Sequence, residues 1–141
     1  MNSPDTVSFS EMTLLRMLSS RNHRPNLMIV NERGSLASVL EELSTVCDSP
    51  LRVCEFPGIL ILPTDTRGTL VLGDVDRLTI AQQITLSDWI SRKAKDLQIV
   101  SVTRAPMTEL IAEGRFLEGL FFRLNTVVIH ATTGGEYRPA W

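Results

Sequence analysis

The chain has 141 residues, of which 43% are hydrophobic and 21% are charged, and its formal net charge is −2. This length suffices for one domain with one hydrophobic core, and the composition is that of an ordinary globular protein. Interspersed acids and bases with a near-neutral sum argue against a nucleic-acid binder that works by neutralising phosphates. No apolar run approaches the roughly 20 residues of a membrane span, and the N-terminus lacks the layout of a signal peptide, so we expect a cytoplasmic protein.

Hydrophobic periodicity predicts alternating strands and helices from about residue 27 to residue 130. The predicted elements, in chain order, are an amphipathic helix at 8–20, a strand at 27–30, a helix at 36–47, a strand at 51–56, a strand at 69–72, a helix at 79–91 with Ile80, Ile84 and Ile90 on its apolar side, a strand at 97–102, a short helix beginning near Pro106, and a strand at 127–129.

This order predicts an α/β fold in three αβα layers. Continuous apolar strands that alternate with helices are typical of a parallel sheet covered on both faces. We therefore expect a mostly parallel five-stranded sheet in a single domain over residues 1–141. The core would span about residues 8–130, the first seven residues would be loose, and the tail at 131–141 would be irregular.

The cysteines and histidines predict no strong metal or disulfide site. Cys47 and Cys54 are the only cysteines, and they have neither CxxC spacing nor a histidine nearby in sequence. Buried, reduced structural thiols are favoured over a disulfide or a metal site. His23 and His130 stand alone and are expected at the surface or at an edge. We predict no metal ligands.

Two tracts carry a specific family resemblance. The tract from Glu113 to Asn125, EGRFLEGLFFRLN, resembles the EGxFRxDLYYRLN signature of the ATPase domain in bacterial sigma-54-dependent transcription activators, a branch of the AAA+ P-loop ATPases. The run at 68–75, GTLVLGDV, is similar to the family's Walker B strand, GTLFLDEI, and Leu78 and Gln83 also match. The resemblance covers roughly residues 8–130 and is weak from 31 to 67. It implies a P-loop core of the AAA+ type.

The phosphate-binding loop departs from this pattern. The family has GESGTGKE where this chain has NERGSLAS at 31–38. Such a loop needs glycine for close backbone approach and lysine to reach the phosphates. Glu32 and Gly34 match, but Leu36 replaces the last glycine and would crowd the phosphates, and Ala37 replaces the lysine. We favour an ordinary turn in which Ser35 caps the next helix, with a vestigial phosphate site at Glu32, Gly34 and Ser35 as the alternative.

The Walker B and sensor positions have also changed. Gly73 and Asp74 stand where the family has the Asp that serves the metal shell and the Glu that polarises water. Asp74 is therefore a vestigial catalytic residue, and a solvated carboxylate is the favoured interpretation. At the sensor position Thr103 matches, whereas Arg104 replaces a polar amide. Arg104 could meet an anion, but a surface cation is favoured.

The family signature implies two arginines that reach the ATP site of a neighbouring subunit. Arg123 matches one of them and Leu117 replaces the other. Arg123 could act in trans on a partner that carries ATP, or it could form a salt bridge that secures its helix; we favour the salt bridge.

Several parts of the family's domain are missing. Residues 56–69 form only a short bridge where the family has a helix and the GAFTGA loop that contacts sigma-54. The second hairpin is trimmed to about residues 92–96. From the pattern after the last strand we expect neither a helical lid nor a helix-turn-helix for DNA.

These departures favour a pseudo-ATPase that binds protein or regulates transcription, with no cofactor. The expected partner is a second copy of the chain or a sigma-54 activator ATPase. The alternative is residual binding of ATP or ADP with Mg²⁺ but without hydrolysis. An active activator fragment is disfavoured by the missing lysine, Walker B aspartate and sigma-contacting loop. A receiver-like domain is disfavoured because Asn31 and Glu32 are a weak match to its acidic cluster.

Overall fold

A parallel five-stranded sheet forms the centre of the structure, a computed structural model that describes residues 7–8, 25–64, 67–92 and 97–133. Its strands, numbered after a short first strand described below, lie in the order β3-β4-β5-β2-β6, and all neighbours are parallel. The strands are β2 (Leu27–Val30), β3 (Leu51–Glu55), β4 (Thr69–Gly73), β5 (Gln98–Thr103) and β6 (Val127–His130). The predicted sheet is confirmed, and each strand lies within two residues of its predicted bounds.

Helices cover both faces of this sheet. They are α1 (Leu36–Val46), α2 (Ile80–Arg92), α3 (Met107–Ala112) and α4 (Glu118–Leu124), with a 3₁₀ turn at Val75–Arg77. Side chains alternate along each strand, so Leu70 and Leu72 pack in a cluster with α2, α3 and α4, whereas Val71 packs in a second cluster with α1. Two cores separated by the sheet make the predicted three layers.

The chain ends of the domain pair with one another, which the sequence did not predict. Strand β1 (Val7–Ser8) runs antiparallel to strand β7 (Thr132–Thr133). We expected Val7 to be loose, Ser8 to begin a helix and the tail from residue 131 to be irregular. These expectations were wrong, because a two-residue strand has no detectable periodicity. The predicted helix at 8–20 lies outside the described residues apart from Ser8, and so does the tail beyond residue 133.

Helix α2 buries a different side from the one predicted. Gln83 and Leu86 are its buried residues, whereas Ile80 is exposed and the Ile84 side chain is 56% exposed. Ile90 packs at the margin of the core. The side that carries Ile80 and Ile84 is therefore not the buried face of this helix, although the sequence pattern suggested it.

Gln83 can be buried because its amide nitrogen and its carbonyl oxygen are both hydrogen-bonded to backbone groups. Its Nε2 donates to the carbonyl of Leu78 at 3.1 Å and to that of Arg115 at 2.9 Å. Its Oε1 accepts from the N–H of Leu117 at 2.8 Å. A buried polar group is stable when satisfied in this way. Gln83 therefore fixes the tract at 115–117, the middle of the family signature, against α2.

The two cysteines lie on opposite faces of the sheet. Cys54 belongs to the cluster under α2, and Cys47 packs beside the cluster under α1; neither forms a disulfide. Side chains separated by a sheet do not meet the short Cβ separation of a disulfide. His130 is half-buried at the end of edge strand β6, and His23 lies outside the described residues. Over the described ranges, no helix is long and apolar enough to cross a bilayer.

We predict that Gln83→Met lowers the free energy of unfolding by about 2–4 kcal/mol, because three backbone groups lose their partner in a buried position. Chemical denaturation monitored by circular dichroism measures the change. The matched control is Gln82→Met, since Gln82 bonds to Thr79 and Gly58 at exposed positions. Equal losses for the two variants would contradict the anchoring role of Gln83.

Candidate functional site

The candidate residues converge at the carboxyl ends of three adjacent strands. Strands β4, β5 and β2 are neighbours and parallel, so the loops that follow them leave the sheet at one edge, where α/β proteins bind their ligands. The N–H of Asn31, after β2, donates to the carbonyl of Thr103, at the end of β5, at 2.8 Å. The structure thus brings together the vestigial phosphate loop, the Walker B position and the sensor position.

The loop after β2 is closed by its own asparagine. Asn31 is buried, and its Oδ1 accepts from the N–H of Gly34 while its Nδ2 donates to the carbonyl of Gly34, each at 3.1 Å. The Gly34 amide is therefore directed to a side chain of its own loop, and Glu32 is exposed. Sequence reasoning missed this role of Asn31, although asparagine at a turn commonly bonds to the backbone nearby.

Ser35 caps helix α1, as predicted. It has extended backbone angles, φ −83° and ψ 152°, and its Oγ accepts from the N–H of Ser38 at 3.1 Å. One of the free amides of the first helical turn is thereby satisfied by the chain itself. Ala37, at the position of the family's lysine, is exposed.

Leu36 and Gly73 fit each other at the end of β4. A Cβ atom added to Gly73 would lie 2.7 Å from Leu36 Cδ2 and 3.3 Å from Leu36 Cδ1. Carbon atoms attract best at about 3.5–4.0 Å, so the leucine methyls already fill the space that a side chain at position 73 would need. Leu36, the replacement in the phosphate loop, therefore lies in the space that a side chain at the Walker B metal position, Gly73, would occupy.

Asp74 and Arg104 form an ion pair, with Asp74 Oδ1 3.6 Å from Arg104 Nε. The Asp74 side chain is 18% exposed and the Arg104 side chain 52%. Asp74 has a left-handed backbone, φ 55°, which aspartate tolerates better than most residues. Arg104 is the exposed cation that we favoured. Asp74 is not the freely solvated carboxylate that we favoured, because residues 30 positions apart in sequence meet only in the folded sheet.

Thr103 is buried and its hydroxyl is used within the turn after β5. The Oγ1 lies 3.0 Å from the carbonyl oxygen of Ala105 and 3.4 Å from Asp76 Oδ1, and it accepts from the N–H of Ala105 at 3.3 Å. This hydroxyl shapes the chain reversal that places Arg104 beside Asp74.

Arg123 lies apart from this edge, on α4. Its Nη1 donates to the main-chain carbonyl of Ser87 in α2 at 3.0 Å. It therefore links the two helices through a carbonyl and not through the salt bridge that we favoured. Arg123 and Leu117 line a shallow cleft of about 340 Å³ together with residues of α2: Ile84, Ser87, Asp88 and Ser91.

The groups present at the strand ends do not match those that bind a magnesium nucleotide. Phosphates need an ammonium and free backbone amides, and magnesium needs a carboxylate. Here the lysine position is Ala37, the metal position is Gly73, and the carboxylate of Asp74 faces a guanidinium. Across the part of the chain that the structure describes, no cluster of three His, Cys, Asp or Glu residues could hold a metal ion.

We predict that Gly73→Ala lowers the free energy of unfolding by about 1–2 kcal/mol, because the new methyl displaces Leu36. In a Leu36→Ala background the same change should cost much less, a coupling that a double-mutant cycle measures by denaturant unfolding. Gly119→Ala is the control, because a Cβ on that exposed helical glycine meets nothing within 4 Å. It should be neutral or stabilising. Additive effects of the changes at 36 and 73 would contradict the fit.

Comparisons with known proteins agree with this architecture. The family described as "Sigma-54 interaction domain" matches residues 16–133. A curated relative, the pathogenicity locus probable regulatory protein HrpR of Pseudomonas syringae pv. syringae, is 33% identical over 73 residues, which cover 44% of this chain and 23% of HrpR.

Solved structures share the fold at low identity. NtrX from Brucella abortus in complex with ADP superposes with a TM-score of 0.66 at 20% identity, covering 92% of this chain and 38% of NtrX. The P-loop NTPase domain of a sigma-54 activator from E. coli superposes with a TM-score of 0.56 at 15% identity, covering 87% of this chain and 99% of that domain.

The chain thus spans about a quarter of HrpR and somewhat more than a third of NtrX. Its signature tract, its strand order and the family match over residues 16–133 lead to one conclusion. The chain belongs to the sigma-54 interaction domain family and has the AAA+ P-loop core of the sigma-54-dependent transcription activators.

Proposed function

We propose that this chain is a catalytically inactive member of its family, a pseudo-ATPase that acts in transcription control by binding another protein. The proposal rests on two pairs of neighbouring residues that depart from the family pattern. Leu36 fills the space beside Gly73, and Arg104 forms an ion pair with Asp74. The similarity to HrpR, a probable regulatory protein, supports the assignment to regulation.

Loss of hydrolysis follows from the groups that phosphoryl transfer requires. In P-loop ATPases a lysine holds the outer phosphates, a carboxylate serves the magnesium ion, and a further group positions the attacking water. Ala37 and Gly73 have no functional group for the first two roles. Asp74 could take the third role only by giving up its ion pair with Arg104.

Protein binding is the function that the remaining surface supports best. Ile84 on α2 and Phe122 on α4 are exposed, and Gln83 holds these two helices in register through the signature tract. Exposed large apolar side chains on a rigid support are typical of binding surfaces. The partner that we propose for this surface is an active sigma-54 activator ATPase, whose assembly this chain would limit.

Isothermal titration of the purified protein with ATP and Mg²⁺, and with ADP as comparison, tests the inactive site. We expect no heat of binding at millimolar nucleotide. Leu36 fills the space beside Gly73, and Arg104 is paired with the carboxylate of Asp74 that a magnesium nucleotide would need. Micromolar binding would overturn the proposal and would make the chain a nucleotide-responsive regulator.

A variant of the same chain serves as the positive control. It combines Leu36→Gly, Ala37→Lys, Gly73→Asp and Arg104→Asn, which restore the family residues at the changed positions. Heat of binding in this variant, with none in the parent protein, would attribute the loss to these side chains. Circular dichroism of the variant verifies that it is folded.

Co-elution with an active sigma-54 activator ATPase tests the partner. We expect a complex and a reduced rate of ATP hydrolysis by the activator, and we expect Phe122→Ser to weaken both by at least about tenfold if Phe122 is an interface anchor. Ile59→Ser is the control, because Ile59 is 79% exposed, against 64% for Phe122, but lies in the bridge between β3 and β4. An unchanged elution profile and an unchanged rate would rule out this partner.

A further inference from the structure

Strand β3 is an edge strand with one open side. Over the described residues it pairs only with β4. The N–H of Thr69 donates to the carbonyl of Pro50, and the N–H of Phe56 donates to the carbonyl of Gly73, both at 3.0 Å. Backbone groups along a strand point alternately to its two sides. The even-numbered residues from 50 to 56 therefore face β4.

The odd-numbered residues of β3 direct their backbone groups away from the sheet. These are Leu51, Val53 and Glu55, and each offers one N–H and one C=O to a further strand. Pro57, the next odd position, has no N–H, so the open ladder ends there. Such an edge is a template for pairing, and β3 contains neither the lysine nor the internal proline that commonly blocks one.

This ladder is complementary to itself. If a second copy of β3 runs antiparallel to the first, Val53 lies opposite Val53 of the second copy, and Leu51 lies opposite its Glu55. This register pairs all three outward-facing residues of both strands. Any other register that keeps outward-facing residues opposite each other pairs fewer of them. Arg52 lies opposite Cys54, so no like charges face each other, and two β-branched valines form the central cross-strand pair.

Exposed apolar side chains accompany the open edge. Leu60 and Leu62 of the following segment pack against the core, and the thiol of Cys54 donates to the carbonyl of Ile61 at 3.3 Å. Val53 is 43% exposed and Ile61 is 69% exposed. A cleft of about 340 Å³ lined by Arg52–Cys54 and Ile61–Thr64 follows the strand. A second β3 would cover this apolar surface as well as the backbone.

We propose that two copies of this chain associate through their β3 edges, about a two-fold axis at Val53, so that the two five-stranded sheets form one continuous sheet. The contact is isologous, as most homodimer contacts are. It involves five residues per strand, so it belongs to the small interfaces, below about 1,200 Å², that associate weakly. It goes beyond the proposed function, because it does not depend on whether the strand ends bind a nucleotide.

Sedimentation equilibrium tests the association. The apparent mass of the wild-type protein should rise with concentration from 15.7 kDa toward twice that value. Val53→Lys should weaken association by about tenfold or more, because two lysines then face each other across the axis. The matched control is Val128→Lys, because Val128 is an exposed valine on the opposite edge strand, β6, and this change should leave association unchanged.

A mixture of two variants tests the register. Val53→Lys and Val53→Asp should each be monomeric alone, and together they should form a heterodimer, because only position 53 faces its own copy. A monomeric wild-type protein at millimolar concentration would overturn the proposal. So would a Val53→Lys variant that associates like the wild type, or a mixture that stays monomeric.

Hydrogen exchange of the wild-type protein, followed by NMR, tests the same edge without any substitution. The amides of Leu51, Val53 and Glu55 should gain protection as concentration rises, whereas those of Arg52 and Cys54, which face β4, should be protected at every concentration. Protection of all five amides that does not change with concentration would overturn the proposal even if the lysine variant failed to fold.

Discussion

The burial of β4 and β5 on both faces is the constraint on which the rest of this structure depends. Every residue of these two strands is buried, and each fully buried aliphatic side chain contributes about 1.5–3 kcal/mol to stability. Both strands run parallel to their neighbours, so their carboxyl ends meet at one edge of the sheet. The core therefore fixes where Asp74, Arg104 and the loop at 31–35 lie, whatever those residues can do chemically.

The departures from the family pattern are paired in space. A family member with an aspartate at position 73 and a glycine at position 36 would have a side chain where this chain has the methyls of Leu36. A side chain at position 73 would require the end of the Leu36 side chain to shift, and a glycine at 73 without Leu36 would leave a void, which is destabilising. Arg104 likewise brings a cation that Asp74 compensates. At the strand ends, side chains of this chain thus fill the space beside Gly73 and form the ion pair with Asp74.

Sequence patterns correctly predicted the features that depend on residues close together in the chain. Apolar runs predicted all five strands of the sheet, and Ser35 was recognised as a cap because capping depends on three neighbouring residues. The buried face of α2 was predicted wrongly, because the burial of Gln83 depends on carbonyl and amide groups that come from a tract more than 30 residues away. The pairing of β1 with β7 joins chain ends that have no periodic pattern.

The candidate site shows the same division between local and distant causes. Leu36 and Ala37 could be recognised as changes within one loop, and their effect on phosphate binding could be argued from side-chain size and charge. The Asp74–Arg104 pair and the Leu36–Gly73 contact could not, because each joins the ends of two different strands. Asn31 was within reach of sequence reasoning, since an asparagine that bonds three residues ahead is a common turn.

The residues of the family signature at 113–125 form structural contacts with helix α2 in this chain. In this chain the bonds of Gln83 hold residues 115–117 against α2, and Arg123 joins α4 to α2 through the carbonyl of Ser87. Both contacts fix the relative position of two helices that carry exposed apolar side chains, and neither touches the ends of β2, β4 or β5. These residues of the signature therefore have a structural role in this chain that is separate from the strand ends.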